Sequence, residues 1–405
     1  MPCSVRTRRE SLCARSVRPH LRVLRAIGFR RLGARGAGDR DESAARRVVQ
    51  LVYHTFTLFF LCIFVGQQLL YAYQSRLDMD TLSEVLFLVL CHTTCLAKQI
   101  VFHSNAAEID EMVATLEDPL FEQRAGRGAA LLRGTARRAA LLLRGYAGCA
   151  LVTCTLWLVF AVVNRACARP YQFPFWTGFG YQGLPGFVAL LLYSFYATSV
   201  VAIGNTTMDA FVVTLLDQCK TQLIILRINF ETLTERADAI QTQTGQNYLK
   251  VLNELLIECL KHYRKTTELC AALQRVFGAP LLVQFGAGAW ILCMAACRID
   301  SLNVLSIEFA SMTLFMTCIL MELFLFCYYG NEVTVESGRL AESVYGMEWT
   351  RAPPAFRRSL ALVMERAKRP LRPAAAGCII PLSLETYVKI LKSSYSFYAV
   401  LRQTK

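Results

Sequence analysis

Charge is what this chain has least of. Only 18% of its 405 residues are Asp, Glu, Lys or Arg, whereas a soluble globular domain carries about 25%. A protein that keeps most of its surface in water is not expected to be so poor in charge. The short signatures that join an acid, a base and a nucleophile are also missing. No Walker sequence, nucleophile elbow, HExxH pair or dinucleotide fingerprint occurs. An enzyme therefore has no positive support, and no cofactor is implied. Internal repeats, common in secondary carriers, are missing too. No basic face lies on a soluble module, so the formal charge of +14 does not point to nucleic acid.

What the chain has is apolar length. Hydrophobic residues make up 54% and the mean hydropathy is +0.36. They gather in runs at Leu51–Tyr73, Leu82–His103, Ala139–Val163, Leu184–Leu216, Val276–Cys297, Leu302–Tyr329 and Cys378–Leu401. A helix needs roughly 20 apolar residues to cross a hydrocarbon core, so an all-α membrane protein with seven spans is expected. The last run is the weakest, because Glu385, Lys389 and Lys392 interrupt it.

The basic residues orient the spans. With the N-terminus cytoplasmic, the inner segments carry 34 Lys and Arg against 6 outside, which the positive-inside rule favours. The C-terminus is then extracellular, and the inner charge attracts anionic lipid. The expected order begins with a basic cytoplasmic tail over 1–48, disordered or resembling a transit peptide. Spans one to four follow over 49–216, then a cytoplasmic helical hairpin over 217–275. Spans five and six cover 276–330, a second cytoplasmic segment 331–380, and the seventh span 381–405. In the hairpin, Leu249, Leu252, Leu256, Leu260 and Tyr263 recur at helical spacing. That stripe is expected to meet a second copy or a partner, or to pack within the chain. Between spans three and four, residues 164–183 are rich in Pro, Gly and aromatics and read as an ordered outer lid.

A few polar groups stand out. Asp209 and Glu322 lie deep in spans, and Glu308 lies near the outer edge. Such acids face a cavity, a partner helix or a coupled ion. Cys167 and Cys297 reach the outer face and could bridge. Cys91 and Cys95 flank "HTT" at metal-like spacing, but packed thiols and a hydrogen-bonded His92 fit an apolar helix better than zinc. Asn205 opens a glycosylation sequence that lies within a span, where a glycan would sit in lipid.

Two stretches carry a family resemblance: "CYYGNEVTVESGRLAESVYGMEW" at Cys327–Trp349 and "PLSLETYVKILKSSYSFYAVLRQ" at Pro381–Gln403. Together they closely resemble the sixth-to-seventh-span region of insect odorant receptors. The related gustatory receptors end in a TY-hydrophobic-QF pattern that "VKILKSS" after Thr386-Tyr387 does not fit. The resemblance implies one subunit of a ligand-gated, non-selective cation channel, a heterotetramer with an odorant co-receptor subunit, in the plasma membrane of sensory neurons. It implies that the seventh helix lines the pore, that the cytoplasmic hairpins form an anchor between subunits, and that a small volatile odorant binds in the outer half. The alternative is a membrane carrier using Asp209 or Glu322.

The residues themselves suggest where those sites lie. At helical spacing Lys389, Ser393, Ser396, Val400 and Gln403 share one side of the last helix. An apolar residue between hydroxyls and an amide suits a gate that dewets when closed. The family's co-receptor also has valine and glutamine where Val400 and Gln403 stand. The other possibility is a stripe packed on its own subunit. For the ligand, Ala150, Thr153 and Trp157 share one face of the third span, and small residues beside an indole leave room for an apolar guest. Phe87 and Cys91, Met208 and Val212, and Met312, Phe315 and Met316 are further candidates, each open to core packing instead.

Overall fold

A backbone in lipid must satisfy its own hydrogen bonds, and the apolar runs accordingly become long helices. The computed structural model describes residues 11–30, 44–77, 79–123, 126–169, 171–178, 183–350, 352–375 and 379–403. Helix α1 (Leu12–Ala26) precedes α2 (Ala44–Gln74), α3 (Met79–Ser104), the short α4 (Ala106–Leu116) and α5 (Gly126–Ala166). Then come α6 (Leu184–Glu231), α7 (Leu233–Thr244), α8 (Tyr248–Asp300) and α9 (Ile307–Gly338). Two short helices, α10 (Leu340–Tyr345) and α11 (Pro354–Ala367), lead to the antiparallel pair β1 (Ala374–Ala375) and β2 (Ile380–Pro381), and then to α12 (Leu384–Gln403).

Among the described residues, six helices are long and apolar enough to cross a membrane: α2, α3, α5, α6, α8 and α9. At 20 residues α12 is also long enough to cross, about 30 Å, but Glu385, Lys389, Lys392 and Arg402 keep it below that apolar standard. It is the seventh expected span, shorter than the run that suggested it. Pro381 and Ser383 stop the helix from starting sooner, and Ser383 Oγ accepts the Thr386 N–H at 3.2 Å; Cys378 lies outside the described residues. Likewise α9 begins at Ile307 rather than Leu302, because Asn303 Oδ1 takes the Leu305 N–H in a turn and Ser306 caps the helix.

The tail departs most from expectation. Residues 12–26 are not disordered: they form α1, and Cys13, Val17, Leu21 and Leu24 are buried along one face. Exposed Arg15, Arg22 and Arg25 hold the opposite face. The arginines dominate the composition, but the apolar stripe decides the structure. Polar contacts fix the dock, with Gln218 Nε2 donating to Ser16 Oγ at 2.8 Å and Arg18 paired with Glu117 at 2.9 Å. After the helix, the Phe29 ring lies against Gly204 of α6, where any Cβ would collide with it. Residues 1–10 and 31–43 of the expected tail lie outside the described residues.

The hairpin is present and belongs largely to this chain's own core. α7 ends at Gly245, whose φ of +69° is a left-handed cap that favours glycine, and Asn247 caps α8. Leu252, Leu256 and Tyr263 are buried with Phe230 and Leu233, against Val344, Phe356 and Leu360 of α10 and α11. The expected stripe is therefore mostly consumed within the subunit, while Leu249, Ile257 and Leu260 stay exposed. Cys167 is an exposed free thiol, so the bridge to Cys297 is not formed.

Candidate functional site

The segment between α5 and α6 becomes a lid because its aromatic rings find one another. Phe173 and Phe175 are buried with Phe64 of α2 and Phe187 of α6. Two α2 residues, Gln67 and Tyr71, pin it: the Trp176 N–H donates to the Gln67 carbonyl at 3.1 Å and Tyr71 Oη donates to Gln172 Oε1 at 3.0 Å, while Tyr193 Oη of α6 donates to Gln67 Oε1 at 2.6 Å. Beneath the lid lies a cavity of about 160 Å³ bounded by Phe87, Trp157, Met312, Tyr171 and Pro174. The ion pair of Arg298 and Glu308 is part of its lining, which accounts for the acid expected near the outer edge.

A second chamber of about 70 Å³ is lined by Cys91, Ala150, Thr153, Trp157 and Phe315. The two chambers share Leu88, His92, Cys154, Trp157 and Thr198 as lining. Ring contacts stiffen the wall: Phe315 lies 5.5 Å from Phe87 and 5.9 Å from Trp157 between centroids. His92 Nδ1 lies 2.8 Å from Gln68 Oε1, so its ring is held by α2. Seven of the ten expected ligand residues thus converge here: Phe87, Cys91, Ala150, Thr153, Trp157, Met312 and Phe315.

Three do not. Met208 and Val212 line a separate crevice of about 10 Å³ with Phe102, Phe277 and Phe326. They lie C-terminal to Thr198, Val201, Ala202, Asn205 and Thr206, the α6 residues that do reach the lower chamber. Met316 is half-buried against the main core and lines neither chamber.

The floor of the lower chamber is ionic. Lys98 of α3 donates to Asp209 Oδ1 at 2.6 Å, Glu322 Oε1 at 2.9 Å and Asn205 Oδ1 at 3.0 Å. Lys98, Asp209 and Glu322 are 5%, 2% and 1% exposed, so water screens none of them. The sequence had isolated the two acids but not their lysine. The available signal was one cation on α3 in an apolar bundle with two acids, since buried charges are paired. Asn205 serves this cluster as an acceptor and is buried.

The family motif has a mechanical reading. Gly330 leaves room for Leu382, whose side chain and carbonyl would meet any Cβ there, so the chain before α12 can lie on α9. Glu332 pairs with Lys220 at 2.9 Å and Glu336 with Arg227 at 2.5 Å, while Ser337 Oγ accepts the Leu371 N–H at 2.9 Å. The motif clamps α9 to α6 and to the strand that feeds the last helix.

That last helix has two distinct faces. Tyr387, Ile390 and Leu391 pack on the main core and Ser394 is buried. Trp290 of α8 stacks on Phe397 at 5.7 Å, and Arg402 reaches Asp300 at 3.3 Å. Lys389, Ser393, Ser396, Val400 and Gln403 are all exposed on the side turned away from α8 and α9, Val400 at 59%. The polar stripe therefore does not pack on its own subunit. Lys389 pairs with Glu385 at 2.7 Å, which cancels part of the charge that this face carries.

Comparison with known proteins agrees with this arrangement. The family model described as 7tm Odorant receptor matches residues 78–395. Odorant receptor 2a of Drosophila melanogaster is 26% identical over 256 residues, 60% of this chain and 62% of its own length. This chain spans 52% of Odorant receptor 22b and 43% of putative odorant receptor 92a from the same fly. Odorant receptor 46a, isoform A, is matched more fully, at 22% identity over 88% of this chain and 92% of its own. In fold, the chain is similar to the insect olfactory receptor OR5 of Machilis hrabei in complex with eugenol, with a TM-score of 0.82 at 15% identity over 96% of this chain and 98% of that one. The motif that clamps α9, the seven-helix arrangement and the family match over most of the length lead to one statement: this chain belongs to the insect odorant receptor family.

Proposed function

We propose that this multi-pass membrane protein is the odorant-binding subunit of a ligand-gated, non-selective cation channel in the dendritic plasma membrane of olfactory sensory neurons. Its N-terminus is cytoplasmic, and it works in a heterotetramer with an odorant co-receptor subunit. The observation that carries this reading is the exposed stripe of α12. A helix of membrane length with serines, a valine and a glutamine on its exposed face is costly in lipid, and becomes favourable when that face lines a shared aqueous axis. The two chambers under the lid supply the second requirement, an apolar recess with few polar groups. A recess of about 150 Å³ can hold a benzene-sized guest, so the upper chamber suits a small volatile molecule. Exposed Leu249, Ile257 and Leu260 on the hairpin are the apolar surface left for contact between subunits.

A carrier built on the buried acids is the weaker reading. The crevice beside the Lys98 cluster is only about 10 Å³ and is lined by Phe102, Phe277 and Phe326, which leaves it no room for a substrate. The test is odorant-evoked current from this chain expressed with and without a co-receptor. Current that needs the co-receptor supports the proposal. Saturable solute uptake without conductance would replace it with the carrier.

A further inference from the structure

The ionic floor does not balance. Lys98 Nζ has three protons to donate and spends them on Asp209, Glu322 and Asn205. Two carboxylates thus face one ammonium. The second oxygens, Asp209 Oδ2 and Glu322 Oε2, are buried with no hydrogen-bond partner. Native structures leave few buried acceptors unmade, and each such group asks for an explanation. Glu322 also lines the lower chamber, together with Trp157 and Phe315. Glu322, which carries one of these unpaired oxygens, therefore lines the space where a ligand would end.

We propose that the lower chamber is a subsite for the cationic head of an aromatic amine, with Glu322 Oε2 as its acceptor. This rests on the cavity being the odorant site, as argued above. A protonated amine supplies the missing positive charge and a donor for the orphaned oxygen, so the four charged groups sum to zero. The walls suit that head, because Trp157 and Phe315 line the chamber and aromatic rings attract a cation. The upper chamber of about 160 Å³ takes the ring of the same molecule. An alcohol could satisfy the oxygen but would leave the charge uncompensated.

The test uses a matched trio, phenethylamine, phenethyl alcohol and ethylbenzene, on cells expressing the full chain with a co-receptor. Phenethylamine is expected to be about ten- to a hundred-fold more potent than ethylbenzene, the range for a hydrogen bond to a charged group. Glu322→Gln and Asp209→Asn should each collapse that potency ratio toward one. Because the readout is a ratio within one variant, reduced surface delivery does not mimic it. An amine no more potent than its neutral analogues, or a ratio that survives both substitutions, overturns the proposal and leaves the channel reading intact. If no odorant in a broad panel evokes current, the channel reading fails separately. Thermal shift of the purified full chain in detergent then decides the subsite. A larger shift with phenethylamine than with ethylbenzene, lost in Glu322→Gln, supports it; equal shifts refute it.

Discussion

Replacing Lys98 by methionine isolates what the buried cluster does. Methionine keeps the unbranched stem and removes only the charge and its donors. At an effective dielectric near 20, unit charges at the observed 2.6 and 2.9 Å attract by about 6 kcal/mol each. Desolvation and the repulsion between Asp209 and Glu322 offset much of that. Removing one partner of a buried ionic group costs about 3–5 kcal/mol in practice, because the charges left behind have neither water nor counterion. Lys98→Met should therefore lower the melting temperature in detergent sharply and reduce delivery to the cell surface. The companion variant is Lys98→Met with Asp209→Asn and Glu322→Gln. It keeps the shape and carries no charge, so it should recover most of the lost stability, since a well-packed neutral replacement of a buried ion pair is often no less stable. The assay is thermal unfolding of all three proteins, with surface labelling in parallel. The reasoning is refuted if Lys98→Met unfolds no more readily than the parent, or if the neutral triple variant is as damaged as the single one.

Val400→Ser should wet the constriction and raise ligand-independent current per surface protein; no leak, together with a cysteine at 400 that thiol reagents cannot reach, would remove this helix from the conduction path. Gly330→Ala should push Leu382 off α9 and cost about 1–3 kcal/mol, the range for overpacking, read as lost thermal stability; an unchanged melting temperature contradicts the close approach. His20 is fully buried in the dock of α1, and burial pulls its pKa from 6.5 down to about 4. The folded state thus binds fewer protons, so this contribution is complete above pH 6.5 and declines as pH falls toward 4. Acid in that window should raise proteolysis near α1, and His20→Gln should flatten the dependence.

The sequence alone determined the membrane class, the long apolar runs and the polar stripe of α12, while its exposure was decided by the packing of α12 on α8 and α9. The first three are local properties: hydropathy over one run, or spacing along one helix. The face of Ala150, Thr153 and Trp157 was legible for the same reason, since α5 carries its small residues and indole at helical spacing. Depth along a helix is not local. α6 runs unbroken through 48 residues, so nothing in its sequence says whether Asn205 or Met208 stands at the level of the cavity, and the reading slipped by a turn. The fate of α1 was hidden because its stripe matters only when α4, α5 and α6 present a groove for it. The hairpin stripe could have met a second copy or its own chain, and the neighbouring α10 and α11 decided it. Most of all, Lys98 lies 111 positions from Asp209 and 224 from Glu322. Composition could say that an isolated lysine in an apolar run must find acids. Only the packing of α3, α6 and α9 around one point brought it to these two, because the Coulomb energy of a buried charge depends on distance in space, which the order of residues does not fix.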